Sequence, residues 1–298
     1  MWIRRITADN FKSLVGFKLD LSKFTCLVGL NGAGKSTVLQ FIDFLTRQVR
    51  GDIGGWLRAR GWDVNDIGSQ LTKKTTVGFS VYLADNPSGE ATWEGNFDPS
   101  QHCCTQERIA IGGDSLDVRD GKVAIRSTSS GQASEQEIAF TYEGSILSQL
   151  REQPLPSKLV EFKRFFRDLH PADAYHVADG VLRLIAILAE TQTQHSFLLF
   201  DEIENGISPE LMEFMLDTLV NTPQQVLMTT HSPMILNYLD DNIARESVVY
   251  LYKTRKGHTQ AIRFFDIPSV AEKLTVMGPG EAFADTDLTA LRDEIENL

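Results

Sequence analysis

Apolar and polar positions alternate over the first 28 residues, and the pattern predicts three short strands at 3–8, 17–21 and 24–28. The third is almost wholly apolar, as a strand buried on both faces would be. Val38, Leu39, Phe41, Ile42 and Leu45 then recur at helical spacing. Residues 51–69 contain breaks at Gly54-Gly55-Trp56 and Gly61-Trp62 and are expected to be rich in loops. Strand alternation returns from about Thr75 to Tyr142, with strands expected at 76–84, 122–126 and 138–142. Turn signals fall at Asn86-Pro87-Ser88-Gly89, Gly112-Gly113-Asp114 and Asp120-Gly121, and the small, polar run 127–137 reads as an exposed loop.

Past Ser145 the period becomes helical. In 157–169, Leu159, Phe162, Phe166 and Leu169 share one face, with Lys158, Arg164 and Arg167 largely away from it. Residues 180–190 are apolar apart from Arg183, so this helix is expected to be buried against a sheet. A buried strand at 196–200 runs into Asp201-Glu202, and Ser208-Pro209 opens a helix as N-cap and first helical position. Another buried strand, 225–229, runs into Thr230-His231-Ser232-Pro233. Segments 248–253 and 260–265 form a closing hairpin turned at Lys256-Gly257. The pattern as a whole predicts an α/β chain with a β-rich stretch followed by a helical one.

Between the strand at 24–28 and the helix after it lies Gly29-Leu30-Asn31-Gly32-Ala33-Gly34-Lys35-Ser36, followed by Thr37. The stretch fits G-x-x-x-x-G-K-[ST] at every required position, in the strand–loop–helix setting that such a phosphate-binding loop requires. Its glycines let successive N–H groups turn inward toward phosphate oxygens, and the opening helix points its positive dipole end the same way. Residues Asn31, Gly32, Ala33, Gly34, Lys35, Ser36 and Thr37 are thus candidates for ATP binding. Lys35 would reach the β- and γ-phosphates, and the Ser36 hydroxyl would ligate Mg²⁺.

Two further positions complete the chemistry. Asp201, at the end of an apolar strand, can hold Mg²⁺ through water, and Glu202 has the reach to orient and deprotonate an attacking water. A second carboxylate of this kind belongs to a hydrolase. His231, ending the next strand, would sit near the γ-phosphate and stabilise developing charge. Lys35, Glu202 and His231 are therefore the expected catalytic residues.

Composition changes this picture little. A net charge of −11, from 29 basic and 40 acidic residues, argues against a broad phosphate-binding surface on one copy, without excluding a local basic groove or one formed by dimerisation. Three cysteines form no disulfide framework, the N-terminus lacks the apolar core of a signal peptide, and no run of 18 apolar residues occurs. A cytoplasmic protein without a membrane span is the expectation.

The motifs Gly29–Thr37, Val177-Ala178-Asp179-Gly180-Val181-Leu182-Arg183, Asp201-Glu202-Ile203-Glu204-Asn205-Gly206 and Thr229-Thr230-His231-Ser232-Pro233 follow the order found in ABC-type ATPases. Nearly the whole chain resembles the branch containing RecF, the SMC-like heads and the ATPase part of OLD-family nucleases. The resemblance implies one ATPase head over 1–298 with a mixed central sheet, a β-rich N-terminal lobe and a helical lobe: a nucleotide-binding core from 1–50 and 195–298, a β-rich part over 51–143 and a helical part over 144–194. It implies that Lys12 and Ser13 contact the nucleotide phosphates, that Gln149 is a candidate for the glutamine linking lobe motion to magnesium, and that two copies sandwich ATP. In that sandwich Ala178, Asp179 and Gly180 would complete the other copy's site. Ala178 stands where the family usually has serine, and Ile207-Ser208-Pro209 where it usually has Leu-His-Pro. No heptad run lies between the P-loop and Asp201, so coiled-coil arms are not expected. The resemblance further implies a separately encoded effector, such as a nuclease, in bacterial anti-phage defence or DNA metabolism, with DNA reached through that partner. A nucleotide-sensing scaffold with marginal turnover and a transporter ATPase are the alternatives; transporters carry a fuller glycine-rich signature and a membrane subunit.

Overall fold

From the N-terminus the elements run β1 (Trp2–Asp9), β2 (Phe17–Asp20), β3 (Phe24–Val28), α1 (Lys35–Arg50), α2 (Ile53–Arg60), β4 (Val77–Asp85), β5 (Gly89–Asp98) and β6 (Cys103–Ile111). Next come β7 (Asp114–Arg119), β8 (Lys122–Arg126), β9 (Ala133–Glu137), α3 (Ser157–Arg167), β10 (His170–Pro171), α4 (Gly180–Thr191), β11 (Phe197–Phe200) and α5 (Pro209–Asn221). The chain closes with β12 (Gln225–Thr229), α6 (Pro233–Leu236), α7 (Asp241–Ser247), β13 (Val248–Lys253), β14 (Thr259–Arg263), α8 (Pro268–Lys273), α9 (Pro279–Ala284) and α10 (Leu291–Ile295). This computed structural model describes residues 1–85, 89–128, 133–137, 141–153, 155–171 and 180–298. The chain divides into two compact units, one of residues 1–20 with 40–169 and one of residues 21–39 with 170–298.

The first unit is built on an antiparallel sheet in the order β2-β1-β4-β5-β6-β7-β8-β9. Alternation along β5 sends Ala91, Trp93 and Phe97 into the core, where the Trp93 ring meets Phe166 of α3 at 4.8 Å and Phe162 at 6.0 Å. Asn10, at φ 64°, fastens the motif that begins with it: its Nδ2 donates to the carbonyls of Lys74 and Thr76 at 3.0 and 2.9 Å.

Three expectations for this unit need correction. Gly54 and Gly55 do not break the chain but lie inside α2. Burial of Trp56 and Leu57 outweighs the helix penalty of two glycines, and the Trp56 indole N–H bonds Asp43 at 2.5 Å. The polar run 127–137 is not all loop: Ala133–Glu137 pairs antiparallel with β8, because an edge strand needs backbone partners rather than an apolar face. Of the strand expected at 138–142, residues 138–140 lie outside the described residues, and Thr141 and Tyr142 are in no strand.

The second unit is a six-stranded sheet in the order β10-β11-β12-β3-β13-β14, parallel except for β14. Every residue of β3, β11 and β12 is buried, which accounts for their mostly apolar runs. Leu184 and Ile187 of α4, Met212, Met215, Leu216 and Leu219 of α5, and Phe283, Leu291 and Ile295 near the C-terminus share this core. Helix α4 is less covered than expected: Val181, Leu182 and Ile185 are each more than half exposed, because one face only packs on the unit's core. The parallel, adjacent strands β11, β12 and β3 bring their carboxyl ends, and the loops after them, to one edge of the sheet.

Candidate functional site

The P-loop occupies the end of β3. Gly29, Gly32 and Gly34 have φ of 148°, 78° and 113°. At Gly29 and Gly34 side chains are excluded by packing as well as by conformation. A Cβ on Gly29 would overlap the Leu251 carbonyl oxygen, and one on Gly34 would overlap the Thr259 hydroxyl. That hydroxyl donates to the Ala33 carbonyl at 2.8 Å and accepts from Lys253 Nζ at 2.9 Å, so β14 and β13 brace the loop from behind.

Lys35, the first residue of α1, is buried, and its ammonium donates to the Gly29 and Leu30 carbonyls at 2.7 and 3.3 Å. Burial lowers its pKa; the charges of Asp201, Glu202 and Glu204 act in the opposite sense. Ser36 Oγ donates to Asp201 Oδ2 at 3.2 Å. A hydroxyl and a carboxylate so placed are hard oxygen donors, and they fit Mg²⁺, which takes its other ligands from phosphate and water. Among the described residues no group of three or more His, Cys, Asp or Glu is arranged to hold a metal ion.

Beyond Asp201 the backbone enters the left-handed region at Glu202, φ 46°. Several contacts hold this uncommon conformation. The Glu202 N–H donates to Thr229 Oγ1 at 2.8 Å, and Thr229 Oγ1 in turn donates to Asp201 Oδ1 at 2.6 Å. Arg183 of α4 donates to the carbonyls of Asp201 and Glu202 at 3.3 and 3.0 Å. Asn205 Nδ2 donates to Glu202 Oε2 at 2.6 Å. The other carboxylate oxygen of Glu202 lies 3.3 Å from His231 Nε2, and His231 Nδ1 lies 3.4 Å from Lys35 Nζ. Lys35, Ser36, Asp201, Glu202 and His231 are thus gathered at one edge of one sheet.

Sequence reasoning did not single out Thr229, Arg183, Glu204 or Asn205 as supports of this site. Each lies within a quoted motif, but a hydroxyl or guanidinium that orients another residue follows no spacing rule that would reveal the task. Lys12, Ser13 and Gln149 belong to the first unit. There Lys12 Nζ bonds Gln40 at 3.0 Å and stands 3.1 Å above the Trp62 ring, and burial brings its pKa down to about 8. Gln149 ends a short 3₁₀ turn, its N–H on the Ile146 carbonyl. Ala178 and Asp179 lie outside the described residues; Gly180 opens α4. Among the described residues no helix is long and apolar enough to cross a membrane.

Two family models match the chain: "AAA ATPase domain" over residues 1–145, and "AAA domain, putative AbiEii toxin, Type IV TA system" over residues 105–237. Among solved structures, an SMC head bound to the C-winged helix domain of ScpA is similar at a TM-score of 0.52 and 13% identity, over 88% of this chain and 97% of that one. An SMC head with an extended coiled coil, bound to the C-terminal domain of ScpA derived from Pyrococcus furiosus, is similar at a TM-score of 0.53 and 11% identity, over 92% and 99%. At such identities the likeness is one of fold, and the fold is that of the SMC heads. No curated protein sequence matches.

Proposed function

We propose that this chain, a P-loop ATPase head of the ABC type, binds MgATP at the site in its second unit and hydrolyses it. The observation that carries the reading is the pairing of Ser36 with Asp201 beside that of Glu202 with His231, both at the mouth of the P-loop. The P-loop N–H groups and Lys35 bind and neutralise the phosphates. Mg²⁺, when bound, draws negative charge from the phosphate oxygens, and Ser36 and Asp201 hold it. Glu202 accepts the proton of the attacking water, oriented for this by Asn205 and His231. His231, whose Nδ1 accepts from Lys35 and whose Nε2 faces Glu202, stabilises charge that develops beside the γ-phosphate.

ATP is sandwiched in this reading between two copies, with Ala178, Asp179 and Gly180 of the second completing the site and Lys12 and Ser13 of the first contacting phosphate. The ATP cycle governs a separately encoded effector, such as a nuclease, in anti-phage defence or DNA metabolism. The SMC heads' complexes with ScpA and the AbiEii description of one domain match support a partner-controlling role. Carboxylates of the C-terminal residues 279–298 are engaged within the fold: Asp293 and Glu296 pair with Arg255, Asp285 with Lys273, and Glu294 accepts from Ser269.

The test is phosphate release by the parent and by Glu202→Gln, with ATP binding measured in parallel. Turnover should fall roughly 10²–10⁴-fold in the variant, with binding retained and MgATP-dependent dimers accumulating in sedimentation. A parent without Mg²⁺-dependent turnover, or a variant as fast as the parent, overturns the reading.

A further inference from the structure

The geometry points to Glu204 as a positioning residue that sets His231 in place for catalysis. This inference rests on the roles given above to Glu202 and His231. Strand β12 ends at Thr229, and the last main-chain bond to its neighbour is from Thr230 N–H to the Leu27 carbonyl at 3.1 Å. The next N–H, that of His231, has passed the end of the ladder and takes Glu204 Oε1 instead, at 2.7 Å. A carboxylate acceptor makes this bond stronger than one to a neutral oxygen. Glu204 therefore fixes the main chain from which the imidazole reaches between Lys35 Nζ and Glu202 Oε1.

Two observations separate this task from a merely structural one. Glu204 Oε2 is buried without a hydrogen-bond partner among the described residues, and a half-satisfied buried carboxylate is a poor stabiliser compared with an apolar side chain. The same side chain acts electrostatically on Lys35, so its charge is felt at the phosphate end of the site. Glu202 and Glu204, two residues apart, thus face His231 differently: one meets the imidazole, the other the main-chain N–H.

The experiment compares ATP affinity and maximal turnover in the parent, Glu204→Ala, Glu204→Gln, His231→Ala and the Glu204→Ala/His231→Ala double variant. Glu204→Ala is expected to lower kcat about 10-fold, the size of one lost hydrogen bond to a charged group, with ATP affinity within about twofold of the parent's. Glu204→Gln keeps an oxygen for the His231 N–H and recovers most of the rate. The double variant is no slower than His231→Ala alone, since Glu204 acts through that histidine. Parental kcat in Glu204→Ala, additive losses in the double variant, or a Glu204→Gln as slow as Glu204→Ala each overturns the inference. Should alanine prevent folding, Glu204→Asp, which withdraws the acceptor by one methylene, takes its place with the same expectations. A parent that does not hydrolyse ATP defeats the functional reading instead. Glu204 is then judged by the ¹⁵N signals of the His231 ring, which Glu204→Ala must shift; unchanged signals overturn the inference.

Discussion

The hydroxyl of Thr229 donates to Asp201 Oδ1 at 2.6 Å, tying the end of one central strand to the carboxylate at the end of the next. Because the same oxygen accepts the Glu202 N–H, one buried hydroxyl orients the carboxylate proposed to hold Mg²⁺ and pins the backbone of the proposed base. Thr229→Val keeps the shape but leaves both groups unpaired. The Mg²⁺ concentration for half-maximal turnover should rise roughly 10-fold, as is usual when a group that orients a metal ligand is lost, while binding of metal-free ATP stays near parental. A magnesium titration of both proteins decides it; an unchanged requirement would show that Asp201 is oriented without Thr229.

Lys35 sits inside the loop it serves, on the Gly29 and Leu30 carbonyls. ATP phosphates are stronger acceptors than those carbonyls, so the ammonium changes partners on binding rather than paying for a new exposure. Lys35→Ala should weaken ATP binding by roughly 100-fold or more, and Lys35→Arg should rescue little, since a planar fork does not fit a socket shaped for a compact ammonium. Titration with a fluorescent ATP analogue measures both. Near-parental affinity in the alanine variant would mean that this loop is not the phosphate site.

The candidate site was legible in the sequence where a fixed spacing encodes it. Gly29–Ser36 has every residue that its motif requires, and 197–202 and 225–231 announce themselves as mostly apolar runs closed by polar residues because their strands are buried on both faces. Local rules failed where tertiary contacts override them. Gly54 and Gly55 look like a break, yet burial of Trp56 and its bond to Asp43 hold them helical. The edge strand β9 carries no apolar alternation, so nothing in 133–137 distinguishes it from a loop. The apolar helix α4 reads as buried against a sheet, and only the packing shows that Leu182 and Ile185 are exposed. The supports of the site were invisible for another reason. Thr229, Arg183 and Glu204 stand within the motifs, but they act on main-chain atoms or on one neighbour, a task that no spacing announces.

In the first unit Glu107 is a buried carboxylate that takes hydrogen bonds from Trp93 Nε1 at 2.8 Å, Ile146 N–H at 2.9 Å and the Ser145 hydroxyl. Burial dominates those bonds and pushes its pKa up to about 7 from 4.5. Between those values the folded chain keeps a proton that the unfolded chain has lost. The unfolding free energy therefore falls as pH rises through that window, on the order of 3 kcal/mol from this group. Glu107→Gln abolishes the titration. It should be less stable than the parent at pH 5, because one oxygen cannot serve three donors, and the deficit should shrink toward pH 7. Urea unfolding of both proteins at several pH values gives the difference directly. Parallel pH dependences would show that Glu107 titrates as an ordinary carboxylate.

Gly180 opens α4, and a Cβ placed on it would overlap the carbonyl oxygen of Gly206. The turn 201–206 that ends there carries Glu202, Glu204 and Asn205. One helical turn beyond Gly180, Arg183 donates to the carbonyls of Asp201 and Glu202. Glycine thus permits the close approach of α4 to the catalytic turn, and Arg183 exploits it. In Gly180→Ala two effects compete. Alanine's better helix propensity stabilises by at most about 1 kcal/mol, and less at a helix start. Overpacking against a main-chain oxygen costs about 1–3 kcal/mol, because neither backbone can rotate out of the way as a side chain would. The clash should win, lowering the melting temperature by several degrees. Turnover should fall further than the stability loss explains, since Arg183 is carried away from the two carbonyls while Lys35 and the P-loop are untouched; ATP affinity should therefore hold. Val181→Ala, an exposed change at the next position, is the control and should alter neither. A Gly180→Ala protein as stable and as fast as the parent would mean that α4 does not meet the 201–206 turn as closely as described, and the support given to Glu202 by Arg183 would fall with that contact.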